Sequence, residues 1–153
     1  MDAETATGTL LLHVFQSFER ALFDRLAKRG HAGLRPKHGA VLANVDASGT
    51  RGSVLARRAG MTQPAMGELV DELEAKGYVR RVPDPADRRA KLVVPTARAL
   101  ARQRIVFQVV DAIEREYRDL LGSVAYESLR AALMRLVEAT GSGYEVRQPR
   151  PLN

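Results

Sequence analysis

The segment from Gly52 to Pro95 leaves this chain little freedom in how it folds. "GSVLARRAG" (52–60) reads as one or two turns of helix stopped by Gly60, and "MTQPAMGELVDELEAKG" (61–77) starts a second helix immediately after it. Thr62 carries the short hydroxyl side chain that caps a helix amino end, Pro64 suits the first turn, and Gly77 suits the end. Met66, Leu69, Val70 and Leu73 recur at threes and fours, so they share one helix face. Two β-prone runs follow, "YVRRV" and "AKLVVP", separated by "PDPADRR" (83–89), a turn rich in proline and charge. Two short helices joined by about three or four residues form a helix-turn-helix by length and punctuation. Here a small hairpin comes after it.

The flanking sequence is helical. Leu11, Val14, Phe15, Phe18, Leu22 and Leu26 predict an amphipathic helix over residues 10–26, ended by Gly30, Gly33 and Pro36. A second short helix starts near Pro36 and runs through Val41, Leu42 and Val45. Thr96 caps a long helix with the stripe Leu100, Val106, Phe107, Val110, Ile113, Tyr117 and Leu120. Gly122 and Ser123 break it, and Leu129, Leu133, Leu136 and Val137 mark a last helix to about Gly141. The expected fold is mainly α, with a helix-turn-helix, a small β-hairpin, and terminal helices around them. The terminal stripes are too long for the small central core to cover, which points to a second copy of the chain and a dimerisation region. An all-internal bundle is the alternative.

Composition narrows the function classes. At 153 residues the chain is one domain long, and a formal charge of +6 with a pI near 10.2 favours a polyanionic partner. There is no cysteine, so disulfides, thiolate metal sites and thiol redox sensing are excluded. His13, His31 and His38 are scattered, and neither a metal nor another cofactor is expected. No nucleophile elbow, phosphate loop or dinucleotide fingerprint is present, so the chain does not read as an enzyme. The polar start and the lack of a long apolar run predict a cytoplasmic protein with no membrane partner.

Residues 54–96, "VLARRAGMTQPAMGELVDELEAKGYVRRVPDPADRRAKLVVPT", resemble the winged helix-turn-helix core of the MarR family of bacterial transcription regulators. Leu55 and Ala56 stand where that family has Leu-Ala, "LVDELEAKGYV" matches the end of its recognition helix, and "DPADRRAKLVVPT" its wing. "LRPKHGAVLANV" is similar to its second helix, so the likeness spans residues 10 to 140 or so. The resemblance implies a homodimer that binds double-stranded DNA, by family default as a repressor on a near-palindromic operator. The chain then divides into an N-terminal dimerisation helix (1–35), a winged helix-turn-helix DNA-binding domain (36–96), C-terminal dimerisation helices (97–141) and an irregular tail (142–153), integrated as one domain.

Candidate DNA contacts follow from residue chemistry and from the resemblance. Arg51, Arg57 and Arg58 precede the turn, while Arg80, Arg81, Arg88, Arg89 and Lys91 follow the helix, placed to neutralise phosphates. With the apolar stripe facing the core, the groove side offers Thr62, Gln63, Pro64, Gly67, Glu68 and Asp71; Gln63 can pair with adenine through two hydrogen bonds. Many family members have Thr and Arg where this chain has Gly67 and Glu68. Glu68 either accepts from cytosine or pairs with a neighbouring Arg. By resemblance, Asp87 braces Arg89, and Arg89 enters the minor groove, whose negative potential favours a guanidinium. The alternative is that Asp87 and Arg89 form an ordinary surface pair. The resemblance also implies a small aromatic or phenolic effector, for which His13, Phe15, His38 and Phe107 are the candidate residues. A rival reading is a winged-helix protein-interaction module without specific DNA binding, suggested by the acidic residues Glu68, Asp71, Glu72 and Glu74.

Overall fold

The computed structural model of the protein describes residues 6–140, so the tail expected to be irregular (142–153) lies outside the described residues. The chain divides into two compact units, Met1–Val109 and Val110–Asn153, with the boundary inside one long helix. In the first unit, α1 (Thr7–Leu26) passes into a widened, π-type turn, Ala27–His31, broken at Arg29 and Gly30. A 3-10 turn (Pro36–His38) leads into α2 (Gly39–Leu42), then β1 (Thr50–Arg51), α3 (Gly52–Arg58), α4 (Gln63–Ala75), β2 (Val79–Asp84) and β3 (Asp87–Pro95). Helix α5 (Ala97–Leu121) begins in the first unit, and α6 (Ser123–Thr140) belongs to the second.

Capping and glycine geometry set the limits of α4. The Thr62 side chain accepts from the Ala65 amide at 3.4 Å. Gly60 and Gly77 both take positive φ, +63° and +74°, a conformation that costs a residue without a Cβ little. At each, the next amide reaches back five residues, Met61 to Ala56 and Tyr78 to Leu73, both at 2.9 Å. These are Schellman closures, and they frame α4 at its two ends. Met66, Leu69, Val70 and Leu73 are buried, as their spacing predicts, and pack with Leu34, Val41, Leu55, Ala56, Tyr78, Val79, Val93 and Ala99.

The sheet is antiparallel in the order β1-β3-β2. The sequence indicates only the β2–β3 hairpin; the structure adds Thr50 and Arg51, paired with Val93 and Leu92. Thr96 caps α5 as expected, accepting from the Ala99 amide at 3.4 Å while its hydroxyl donates to the Gly77 carbonyl at 2.7 Å. Not all of the stripe expected on α5 is buried. Ile113 is, but Phe107 is exposed and Leu120 is 81% exposed, while the buried Val109 lies outside the expected stripe.

In the second unit, Gly122 turns the chain with φ +76° between α5 and α6. The Tyr126 side chain is buried and its hydroxyl donates to Glu114, which also pairs with Arg130 at 3.2 Å. Val124, Leu129, Met134, Leu136 and Val137 remain exposed. No helix among the described residues is long and apolar enough to cross a membrane.

A polar tie joins α4 to the 3-10 turn. Glu72 pairs with Lys37, and its other oxygen lies 2.9 Å from Nε2 of His38. The Arg35 amide donates to His38 Nδ1 at 2.9 Å, so His38 carries its proton on Nε2 and donates it to Glu72. Hydrogen bonds from Lys37 and then His38 hold the Glu72 carboxyl at about 2 instead of the ordinary 4.5. A carboxyl depressed in the fold stabilises it above its unfolded value and ceases to do so as pH falls through the folded one. Wild type should therefore melt at a higher temperature than Glu72→Gln at pH above 4.5, with the gap closing as pH falls to about 2. A gap independent of pH in thermal melts would disprove the assignment.

Candidate nucleic-acid interface

The exposed amino end of α4 carries Thr62, Gln63 and Pro64, all on the surface. Behind them a cleft of about 140 Å³ runs between α4, α3 and the sheet, lined by Gly52, Ser53, Gln63, Gly67, Arg81 and Lys91 over an apolar floor of Met66, Val70 and Val93. Gly67 is not required for space, since an added Cβ there would meet nothing within 4 Å. The glycine leaves this stretch of the helix without a side chain to present.

The wing is held from its base. Pro85 and Ala86 make a two-residue turn between β2 and β3, with an irregularity between Pro83 and Asp84. Asp84 is buried; one carboxylate oxygen accepts from the Ala86 amide at 2.9 Å and the other from Nε of Arg51 at 2.6 Å. The Ala86 amide foremost, and then Arg51, hold the Asp84 carboxyl below the usual carboxylate range. Asp87 braces Arg89 through the main chain, accepting from the Arg89 amide at 3.1 Å. Its second oxygen lies 3.9 Å from Arg51, so the guanidinium of Arg89 is not its ion-pair partner. The expected Asp87–Arg89 brace is therefore a backbone one, and Asp84 does the bracing that the sequence does not reveal.

The cations of this face fall into two sets. Arg51 is paired with Asp84, Arg58 with Asp46 at 2.8 Å, and Arg81 with both Asp71 and Glu74 at 2.6 Å. The Arg81 amide also donates to Glu74, which with the Arg81 side chain holds the Glu74 carboxyl low. By contrast Arg57, Arg80, Arg88, Arg89 and Lys91 are exposed and have no carboxylate within 4.0 Å among the described residues. Glu68 has no ion-pair partner either, so the expected pairing with a neighbouring Arg does not form. It borders a separate groove with Pro36, Lys37, Met61, Ala65 and Leu69.

The residues expected to touch an effector do not gather in these clefts. His13, Phe15 and Phe107 are exposed, whereas His38 is 1% exposed with both ring nitrogens engaged. None of the four lines either cleft. His38 is thus a packed residue of the 3-10 turn. The sequence gives no role to Asp84, and it offers Asp71 to the groove and counts Glu74 only among the acidic residues of α4, whereas the structure pairs both with Arg81. Their one signal is the i, i+3 spacing of Asp71 and Glu74 on α4, which puts both on the side that meets β2.

A sequence model of the MarR family matches residues 32–90, from just after the π-type turn into the wing. Transcriptional regulator HosA of Escherichia coli O111:H- is 25% identical over 105 residues, 69% of this chain and 78% of that protein. CouR from Rhodococcus jostii RHA1, solved with p-coumaroyl-CoA bound, is 28% identical with a TM-score of 0.65, covering 89% of this chain and 94% of that one. A MarR-family transcriptional regulator from Rhodococcus sp. RHA1 is 27% identical with a TM-score of 0.66, over 89% and 95%. The reduced form of MarR from Escherichia coli superimposes with a TM-score of 0.74 at 22% identity, over 89% and 99%, a likeness of fold alone. HosA and the Rhodococcus sp. RHA1 protein are both named transcriptional regulators. With its capped α4, its three-stranded sheet and its braced wing, the chain has the winged-helix fold of these proteins, and its residues 32–90 match the model of the MarR family.

Proposed function

We propose that this protein binds double-stranded DNA as a homodimer in the cytoplasm and regulates transcription, by family default as a repressor. The observation that carries this reading is the sorting of charge. Five cations without a carboxylate partner among the described residues, Arg57, Arg80, Arg88, Arg89 and Lys91, lie on α3, the sheet and the wing beside the exposed amino end of α4. Free basic groups flanking a helix that fits the major groove supply phosphate contacts, while Thr62, Gln63 and Pro64 face base edges. Arg51, Arg58 and Arg81 act on DNA only indirectly, by holding the elements that carry the others.

Dimerisation is supported by apolar side chains left uncovered on each unit. Leu10, Leu12, Val14 and Phe15 are more than half exposed on α1, and Val124 is 84% exposed on α6. Such surfaces are removed from water most simply by a second copy. Residues 1–35 and 97–141 are the segments we assign to that interface, and residues 36–96 to DNA. Two lobes about a two-fold axis call for a near-palindromic operator with half-sites about one helical turn apart. Response to a small aromatic effector is supported by CouR, whose structure holds p-coumaroyl-CoA. His13, Phe15 and Phe107 are open to such a compound, and His38 reaches one only if its bond to Glu72 opens.

The unpaired Glu68 favours the rival reading, a winged-helix protein-interaction module. Fluorescence anisotropy on DNA bordering the protein's own gene, repeated over a range of salt, separates the two, because phosphate contacts make affinity fall steeply with salt. Arg89→Ala should weaken operator binding by about 1–3 kcal/mol with the dimer intact. Arg88→Ala should lower the salt slope by about one unit while weakening all sequences alike. Asp84→Asn should loosen the wing and weaken binding in the same direction as Arg89→Ala, although every free cation is still present. Unchanged affinity in Arg89→Ala, or a flat salt response in wild type, would exclude DNA binding through this face.

A further inference from the structure

The outward face of α4 has few side chains with which to read a partner. Pro64, Glu68 and Asp71 are exposed on it, away from the buried Met66, Leu69, Val70 and Leu73, with Gln63 at its amino end. The Pro64 ring offers neither donor nor acceptor, Gly67 has no side chain, and the guanidinium of Arg81 holds Asp71 at 2.6 Å. Gln63 and Glu68 are left. Glu68 follows Pro64 by one turn of helix, and a helical side chain leans toward the amino end, so Glu68 reaches back over Pro64 toward the exposed start of α4.

Glu68 is also the acid of α4 that the fold leaves unused. The groove it borders is walled by Met61, Ala65 and Leu69, and the cation there, Lys37, is already held by Glu72. Glu68 has no ion pair or hydrogen bond among the described residues, so both of its oxygens are open. A carboxylate only accepts, and what it can meet on DNA is therefore a donor. In the major groove guanine presents two acceptors, thymine an acceptor and a methyl group, and adenine an acceptor beside a donor, whereas cytosine presents its N4 amino group alone. The same charge is repelled by the acceptor edges, so a wrong base is penalised as well as a right one bound. An added Cβ at Gly67 would meet nothing within 4 Å, which leaves open space beside Glu68 for a base edge. Phosphate repulsion, which an acid on this face incurs, is offset by the exposed Arg57, Arg88, Arg89 and Lys91.

We propose that Glu68 is a specificity-determining residue, accepting a hydrogen bond from N4 of one cytosine in each half-site and rejecting the other bases there. The assignment rests on the DNA-binding reading given above, and it turns the acid that most favours the rival module into part of the readout. Gln63, at the start of the helix, reads a separate position. Glu68 discriminates chiefly by weakening the hold on wrong sequences, so the helix is selective without adding to the general attraction that the free cations supply.

The test is selection by the full chain from a pool of DNA duplexes randomised over about two helical turns, followed by anisotropy titration of the recovered duplex over a range of salt. Wild type should recover a cytosine at one fixed position of each half-site, and exchanging that base pair for any other should weaken binding by about tenfold. Glu68→Gln should lose that cytosine or replace it with adenine, and both Glu68→Gln and Glu68→Ala should bind the unselected pool more tightly than wild type does. Gln63→Ala should keep the cytosine and disturb a different position. Neither Glu68 variant removes a contact made within the described residues, so both should melt with wild type. Cytosine selected as strongly by Glu68→Gln and Glu68→Ala as by wild type would overturn the assignment and leave DNA binding standing. So would salt-dependent binding by wild type with no cytosine position. Wild type that recovers no duplex at any salt would overturn both.

Discussion

Tyr78 is the junction on which the first unit depends. Its amide closes α4 onto Leu73, and its carbonyl accepts from the amide of Thr96, the residue that caps α5. Its hydroxyl meets His31 at the end of α1, and its ring lies under Arg98. Three helical elements, the end of α1, α4 and α5, are therefore located by one residue that is 1% exposed. The arrangement is possible because Gly77, just before it, takes positive φ and redirects the chain from helix to strand within one residue.

Around that junction, carboxylates decide what each cation can do. A guanidinium held by one or two acids at 2.6 Å contributes position, because its charge is already compensated where it stands. An exposed guanidinium with no acid nearby contributes field, which reaches outward and is screened by salt. The acidic half of α4, which in the sequence looks hostile to a polyanion, is largely committed to the first role: Asp71 and Glu74 to Arg81, Glu72 to Lys37 and His38. Of the acids on that helix, Glu68 alone has no ion-pair partner among the described residues.

Much of the fold was legible because its signals are local. Thr62, Gly77 and Thr96 each act within a turn of themselves, and the Met66–Leu73 stripe needs only the helix period to be read. What escaped is long-range. Thr50 and Arg51 form a strand only because β3 lies beside them, and a two-residue strand has no period to detect. Arg51 and Asp84 stand 33 residues apart, so neither announces the other. His38, polar and flanked by lysine and glycine, looks solvated until the 3-10 turn lays it against α4. Leu120 shows the opposite failure, since periodicity identifies a face without saying whether the same chain covers it.

The ion pair between Arg51 and Asp84 has a consequence for association. Arg51 is at once the last residue of β1, the residue before α3, and the anchor of the wing. A hairpin tip free to sample many positions would lose that freedom when it met a partner, and the loss would count against affinity. Here the tip is already confined through Asp84 and the Ala86 amide, so most of the ordering happens when the chain folds. Arg51 thus ties the wing to the start of α3, and the spacing between the two is set by the fold before any partner is met.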